Sequence, residues 1–217
     1  MSKILLLVDD QLDFVTGSMS VKKRGKECVE RTKIFINRNK EEIEKVIFKC
    51  QFTNPNDFRF KRNGGDMPMF CVRHTPGACI EPTILKLLWR LQIPYDVTSH
   101  FEYVTDYIPE CGNLVIAGMN GNTSVKKAVE RFWNVYHCEL FWPGTWFPEH
   151  DEKCFQWLRE HTEGIFEGYF YHKDLYRVEM RDGTVYEFTR ETVDKNGNYS
   201  TNSAYFVTRN LTVTKAS

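Results

Sequence analysis

The chain opens on Ile4-Leu5-Leu6-Leu7-Val8-Asp9, the stretch of sequence that decides its fold class. Five apolar residues in an unbroken run that stops at an acid predict a strand buried on both faces of a parallel sheet. Ligands of open α/β sheets bind beyond the carboxyl ends of the strands, which is where Asp9 would lie. The stretch therefore predicts both a fold class and a candidate site residue.

The composition is that of an ordinary globular protein. Among 217 residues, 41% are hydrophobic and 27% charged, and 29 basic residues balance 29 acidic ones. A formal net charge of zero gives no global attraction to nucleic acid or to an anionic membrane, so we expect neither as a partner. No apolar stretch is long enough to span a bilayer, and no secretory segment follows the start. Seven cysteines without a C-x-x-C pair favour a reducing, cytoplasmic setting.

Apolar runs and amphipathic segments alternate along the first three quarters of the chain. This alternation predicts a three-layer α/β sandwich with a mainly parallel sheet, Rossmann-like, over residues 1–168. The predicted strands are 4–9, 46–52, 93–98, 114–118 and 136–141. The predicted helices are 27–45, 84–89, 101–108, 125–135 and 151–161.

After Gly168 the pattern changes to alternating polar and apolar residues. Two such segments, 177–181 and 184–189, flank Asp182-Gly183, a strong hairpin signal. The segment 204–207 suggests a further antiparallel strand. Residues 169–217 are therefore predicted to form a C-terminal antiparallel β extension.

Three stretches of the chain resemble the isochorismatase-like (cysteine hydrolase) superfamily, which includes the nicotinamidases. Asp9-Asp10-Gln11-Leu12-Asp13-Phe14, followed by Gly17, resembles its opening V-D-x-Q-x-D-F. The segment from Asn63 to Ala78 resembles the nicotinamidase loop N-G-G-x-W-P-x-H-C-V-x-G-T-P-G-A, and 114–125 resembles its V-x-G-x-x-T-D-x-C-V turn. The resemblance implies the α/β fold of that superfamily and a hydrolase ancestry.

The resemblance also assigns the catalytic positions. These enzymes cut amides with a cysteine thiolate, an aspartate that takes the thiol proton, and a lysine. Asp9 falls on the aspartate, and Ser124 falls on the nucleophile, at a helix start where backbone N–H groups could stabilise an anion. No lysine occurs between Lys86 and Lys126, and the lysine position falls near Tyr95.

The serine is the weakest part of this constellation. A hydroxyl is far harder to deprotonate than a thiol, so an aspartate alone should activate Ser124 poorly. His100 is an alternative base if it faces the pocket. The residues expected to line a ligand pocket with these groups are Phe14, Gly118, Asn120, Gly121, Asn122 and Thr123.

We expect neither a metal nor another cofactor. Nicotinamidases hold a divalent ion with an aspartate and histidines from two loops. The corresponding positions here lie within Gln51 to Asn54, near Arg59 and at Phe70. Amides, a guanidinium and a phenyl ring are poor or impossible ligands for such an ion.

Three functions stay open from the sequence, and whether the chain is an enzyme stays open with them. The leading hypothesis is a catalytically impaired relative, a pseudoenzyme that binds a small molecule or assembles. The second is an active hydrolase of amidase or isochorismatase type that uses Asp9 with Ser124; some isochorismatases cleave a vinyl ether by general acid catalysis. The third is an oligomeric interaction protein that uses the β extension. We expect a homo-oligomer, because large aromatic residues between Phe132 and Trp157 suit a subunit interface.

Overall fold

The computed structural model describes residues 2–20, 23–108, 112–148 and 151–165, and the backbone of strands at 170–172, 175–179 and 185–189. The strands are β1 Lys3–Val8, β2 Ile43–Lys49, β3 Tyr95–Thr98, β4 Asn113–Gly118, β5 His137–Thr145, β6 Glu163–Ile165, β7 Phe170–His172, β8 Leu175–Glu179 and β9 Val185–Thr189. The helices are α1 Leu12–Val15, α2 Lys23–Arg38, α3 Pro82–Leu91, α4 Lys126–Phe132 and α5 Glu152–His161.

The first six strands form one parallel sheet in the order β3-β2-β1-β4-β5-β6. The strand β1 lies inside it, with β2 on one side and β4 on the other. The chain order reverses between β1 and β4, and a crevice at the carboxyl ends of such strands is where open α/β sheets bind ligands. The predicted fold class is confirmed, and β1 ends at this crevice.

Both faces of β1 are buried, as its unbroken apolar run predicted. Ile4, Leu6 and Val8 pack into a cluster that includes residues of α4 and α5. Leu5 and Leu7 pack into a second cluster with residues of α2 and α3. Each of these leucines is fully buried, and full burial of a leucine side chain stabilises the fold by about 2 kcal/mol.

The bounds of several elements differ from the predicted ones. The strand β2 begins at Ile43 because α2 ends at Arg38, where the amide of Asn39 turns back to the Phe35 carbonyl at 2.8 Å. It ends at Lys49 instead of residue 52, since the backbone N–H of Gln51 donates to the side-chain oxygen of Gln11 at 2.7 Å and not to a neighbouring strand. The predicted helix 101–108 is a pair of 3₁₀ turns, and the short β6 was not predicted.

The strands β7, β8 and β9 form a separate antiparallel sheet in that order. The pairing of β8 with β9 is the one expected on either side of the Asp182-Gly183 signal. That turn and the predicted strand 204–207 lie outside the described residues. No helix in the described ranges has the length and apolar character needed to cross a membrane.

Candidate active site

Asp9 lies directly beyond the end of β1 in a left-handed backbone conformation, with φ at 58°. Its N–H donates to the Lys49 carbonyl at 2.9 Å, and its own carbonyl accepts from the N–H of Gln11 at 2.8 Å. The carboxylate is 3% exposed. The turn therefore holds a buried carboxylate at the carboxyl edge of the sheet, where the sequence predicted a site residue.

Lys49, the last residue of β2, supplies a positive charge at this position. Val8 and Lys49 are paired across the two parallel strands, so the side chains that follow meet at one edge. The Lys49 ammonium donates to Oδ1 of Asp9 at 3.1 Å and lies 5.0 Å from the centre of the Phe101 ring. Sequence reasoning missed this lysine because it was sought on the strand after α3. The available signal was a lysine ending the strand that follows β1.

Ser124 completes the group. Its hydroxyl donates a hydrogen bond to the Asp9 carboxylate, and its side chain is only half-buried. The structure therefore brings together a hydroxyl, a carboxylate and an ammonium from three segments of the chain. A nucleophile next to a base that is itself oriented by a third group is the general arrangement for nucleophilic catalysis.

The loop that carries Ser124 depends on two glycines. Gly118 ends β4 with φ at 137°, and a Cβ there would lie 2.1 Å from the Val8 carbonyl oxygen. Gly121 donates its N–H to the Trp146 carbonyl at 2.6 Å, and a Cβ there would lie 2.3 Å from the Phe147 ring. A single π-type turn, Gly121–Val125, then leads into α4. Such turns recur at functional sites.

Burial sets the acidity of Asp9. Removal from water raises the pKa of the carboxyl above its usual range, and the Lys49 charge and the hydrogen bonds from Ser124 and Lys49 offset only part of that rise. A carboxyl with a raised pKa is a stronger base once ionised. It also keeps its proton to a higher pH.

The other polar residues of the opening motif connect loops to the sheet. Gln11 is fully buried and bonds to the backbone of Gln51 and to the Ala78 carbonyl at 2.8 Å. Asp13 accepts from the N–H of Cys71 at 2.6 Å and from Ser18 at 3.0 Å. These contacts fix the loop that resembles the nicotinamidase N-G-G segment against β1.

The remaining predicted site residues lie at varying distances from this group. Asn120, with φ at 63°, has a buried amide oxygen that no described residue bonds. The amide of Asn122 is buried with no hydrogen bond from a described residue, and Thr123 is exposed. Phe14 packs against Phe70, with 5.9 Å between ring centroids. Their role in ligand binding stays a prediction.

Two predicted participants are not brought to Asp9. Tyr95 is the first residue of β3 and pairs with Val46, at the opposite end of the sheet from Lys49. His100 is exposed, and its ring packs edge-on against Tyr103 at 5.7 Å. The ammonium that lies beside Asp9 is that of Lys49, at 3.1 Å, and no such contact involves Tyr95.

The nearby cysteines are not ready nucleophiles. Cys50 and Cys71 are both buried, and each feels the Asp9 charge. Burial, followed by the Asp9 and Asp10 carboxylates, raises the pKa of the Cys50 thiol to about 12. Burial and the neighbouring Asp13 raise the pKa of Cys71 further. Both thiols are therefore protonated at neutral pH.

The residues at the expected metal position do not fit a divalent ion. Phe70 is buried among Phe60 and other apolar side chains. The Arg59 guanidinium lies 5.3 Å from the Phe70 ring centre and is paired with Asp57 at 2.7 Å. The phenyl ring has no lone pair for coordination, and the guanidinium beside it repels a metal cation.

No family model matches the sequence, and no curated protein matches it. Solved structures do match. Yeast nicotinamidase aligns with a TM-score of 0.61 and 16% identity over 75% of this chain and 99% of its own. The pyrazinamidase of Pyrococcus horikoshii, solved with zinc, gives a TM-score of 0.57 and 16% identity over 76% of this chain and 99% of its own.

The N-carbamoylsarcosine amidase of Thermoplasma acidophilum gives a TM-score of 0.54 and 10% identity, over 76% of this chain and 95% of its own. At these identities the likeness shows the fold alone. That fold is the isochorismatase-like α/β sandwich predicted from the sequence.

Proposed function

We propose that this chain is a slow small-molecule hydrolase of the amidase type, with Ser124 as nucleophile, Asp9 as base and Lys49 as their charge partner. The observation that carries the proposal is that one buried carboxylate accepts hydrogen bonds from both the Ser124 hydroxyl and the Lys49 ammonium. The sequence favoured an impaired relative because both the cysteine nucleophile and the lysine are substituted at their expected positions. Lys49 supplies the missing charge from another strand, and the serine is the reason why we propose a slow enzyme.

The chemistry follows from these three groups. Asp9 takes the hydroxyl proton as the Ser124 oxygen attacks the amide carbon, and it returns that proton to the departing amine. Water then attacks the acyl-serine with Asp9 again as the base, which releases the carboxylic acid and restores the hydroxyl. Lys49 stabilises the ionised Asp9 that begins each half of the cycle.

The proposed slowness has a physical cause. A serine hydroxyl needs a stronger base than a thiol does, and the raised pKa of Asp9 supplies only part of the difference. The substrates to test first are nicotinamide, pyrazinamide and N-carbamoylsarcosine, which the matched structures' enzymes are named for. Each releases ammonia when its amide is hydrolysed.

Ammonia release from these amides, with variants at each position, tests the proposal. We expect Asp9→Asn and Ser124→Ala to abolish it and Lys49→Met to slow it at neutral pH. The matched control is Lys45→Met, since Lys45 lies on the same strand and pairs with Asp96 at 2.8 Å, away from Asp9. Release that survives Ser124→Ala would refute the serine as nucleophile. Absence of release from every amide would favour a binding protein.

A second function is supported by the raised pKa of Asp9. A carboxyl that keeps its proton beside a lysine can act as a general acid, and vinyl-ether cleavage of the isochorismatase type needs no acyl-enzyme. Pyruvate release from isochorismate separates the two functions. Under this alternative Asp9→Asn abolishes release and Ser124→Ala does not.

A further inference from the structure

A groove of about 900 Å³ lies between α3 and the start of β3. It is at the amino end of β3, whereas Asp9 and Lys49 lie at the carboxyl end of the sheet. Trp89 is 83% exposed and Tyr95 is 45% exposed, and both line the groove. Val97, on the same face of β3 as Tyr95, is 42% exposed. Neighbouring exposed apolar side chains of this size mark interaction surfaces.

At Tyr95 the groove reaches an open sheet edge. The strand β3 is the last in the sheet order. The Pro94 carbonyl accepts from Val46 of β2, and the Thr98 carbonyl accepts from Cys50, the residue after β2. Because backbone groups alternate in direction along a strand, those of Tyr95 and Val97 point away from the sheet. No strand among the described residues pairs with this edge. An edge of this kind can accept an added strand.

Two exposed cations flank the apolar floor of the groove. Lys86 and Arg90 lie one turn apart on α3 and both line the groove. The helix itself carries no acidic residue, and neither cation forms an ion pair with a carboxylate in the described part of the chain. The groove therefore combines apolar surface with uncompensated positive charge.

We propose that this groove binds an extended, acidic segment of a partner protein as an added strand on β3. Apolar side chains of that segment would pack against Trp89 and Tyr95, and its carboxylates would pair with Lys86 and Arg90. Main-chain hydrogen bonds supply affinity in this mode of recognition, and side-chain pockets supply specificity.

Charge selects an acidic partner over a second copy of this chain. A two-fold interface places the same patch of both subunits face to face. A dimer through the groove would then gather four cations in one interface, Lys86 and Arg90 of each subunit, and like charges across an interface are unfavourable. The carboxylates of an acidic segment would instead be attracted to Lys86 and Arg90.

Fluorescence anisotropy with a labelled peptide tests the charge requirement. The probe is a short peptide of repeated glutamate-valine-tyrosine-glutamate units, and its control carries lysine in place of glutamate. We expect the acidic probe to bind and Lys86→Glu with Arg90→Glu to weaken it by about tenfold or more. Lys127→Glu, an exposed lysine on α4, is the matched control. Equal binding of both peptides, or none, would overturn the proposal.

Val97→Pro tests the added strand separately. It removes an outward N–H that β2 does not use, and proline is tolerated at such edge positions. We expect the thermal unfolding temperature to change little and the acidic probe to bind about tenfold more weakly. Full binding by a folded Val97→Pro variant would overturn strand addition. A dimer in light scattering that Trp89→Ala dissociates would assign the groove to a second copy and overturn the acidic partner.

Discussion

At the scale of single residues, the site consists of one carboxylate with two hydrogen-bond donors. Asp9 and Ser124 could be predicted from the sequence, because both stand in motifs that resemble the family's. Lys49 was missed although it ends the strand after β1, since a residue-by-residue alignment follows chain order and the charge comes from another strand. The contact between Lys49 and Asp9 is visible only once β1 and β2 are paired.

The identity of the nucleophile gives the first prediction. Ser124→Cys should raise ammonia release from the preferred amide by about tenfold or more, because a thiol is deprotonated far more easily than a hydroxyl by the same Asp9. Steady-state rates for the two proteins on one substrate provide the measurement. A cysteine variant that releases ammonia no faster would show that the group is not arranged for nucleophilic attack.

The pH dependence of release distinguishes base from acid. If Asp9 is the base, the rate rises with pH through its pKa; if it is the general acid, the rate falls there. Lys49 lowers the pKa of Asp9. In the activity that remains, Lys49→Met should therefore move the rise or fall of the rate to higher pH. A pH–rate profile of both proteins gives the direction. If the rate changes at the same pH in both proteins, Lys49 does not lower the pKa of Asp9.

Asp10 carries a stability cost at neutral pH. Its carboxyl is 2% exposed, no described residue hydrogen-bonds it, and burial with the nearby Asp9 and Glu81 raises its pKa well above the usual range. The unfolded chain loses this proton near pH 4 and the folded chain keeps it, so stability falls as pH rises. Asp10→Asn should therefore raise the free energy of unfolding at pH 7, because the substitution removes the buried titrating group.

Denaturant unfolding of this variant at two pH values checks the sign. The gain should disappear below about pH 4, where the carboxyl is protonated in both states. Asp106→Asn, at an exposed carboxyl, is the control and should change little at either pH. A variant that is less stable at both pH values would mean that Asp10 is bonded and charged in the folded state.

At the scale of elements, the strands were predicted best where their burial is most uniform. The unbroken apolar runs of β1 and β4 identify them with nearly the observed bounds, whereas β2 was placed three residues late. Its beginning depends on where α2 stops, and its end depends on the Gln11 side chain, which replaces a strand neighbour. The strand β6, with three residues, is too short to show a pattern.

The junction of β4 with the Ser124 loop should be intolerant of any side chain. Gly118→Ala adds a Cβ against the Val8 carbonyl at a positive φ, and should lower the free energy of unfolding by about 3 kcal/mol. Gly64→Ala is the matched control: its φ is 94°, but nothing lies within 4 Å of the added Cβ. Chemical denaturation of both variants separates steric contact from backbone strain. Equal losses of free energy of unfolding in the two variants would show that the backbone at Val8 moves aside without a measurable cost.

At the scale of the whole molecule, the order of the six parallel strands could not be predicted from the sequence. Alternating strands and helices predict a parallel sheet, but many strand orders satisfy that pattern. The observed order places β1 between β2 and β4 and thereby puts Asp9, Lys49 and Ser124 at one edge. The antiparallel pairing of β8 with β9 was predicted from alternation and one turn signal.

The boundary near residue 168 can be tested on the whole molecule. Both core clusters draw on residues between Ile4 and Ile165. A chain truncated after residue 168 should therefore unfold cooperatively and keep its ammonia release, as circular dichroism and the activity assay would show. Its mass in solution tests whether the β extension drives assembly. Loss of cooperative unfolding would mean that residues 169–217 complete the core.

The position of β1 has a consequence for how the protein is made. The ribosome releases β1 and β2 early, but Lys3 pairs with Asn113, and β4 emerges only after β2, α3 and β3 have been synthesised. Until then one edge of a strongly apolar strand lacks its neighbour, a situation that exposes nascent chains to aggregation and to chaperones. Asp9 and Lys49 can meet early in translation, whereas Ser124 joins them late. The nascent protein therefore acquires the carboxylate–ammonium pair before it acquires a nucleophile.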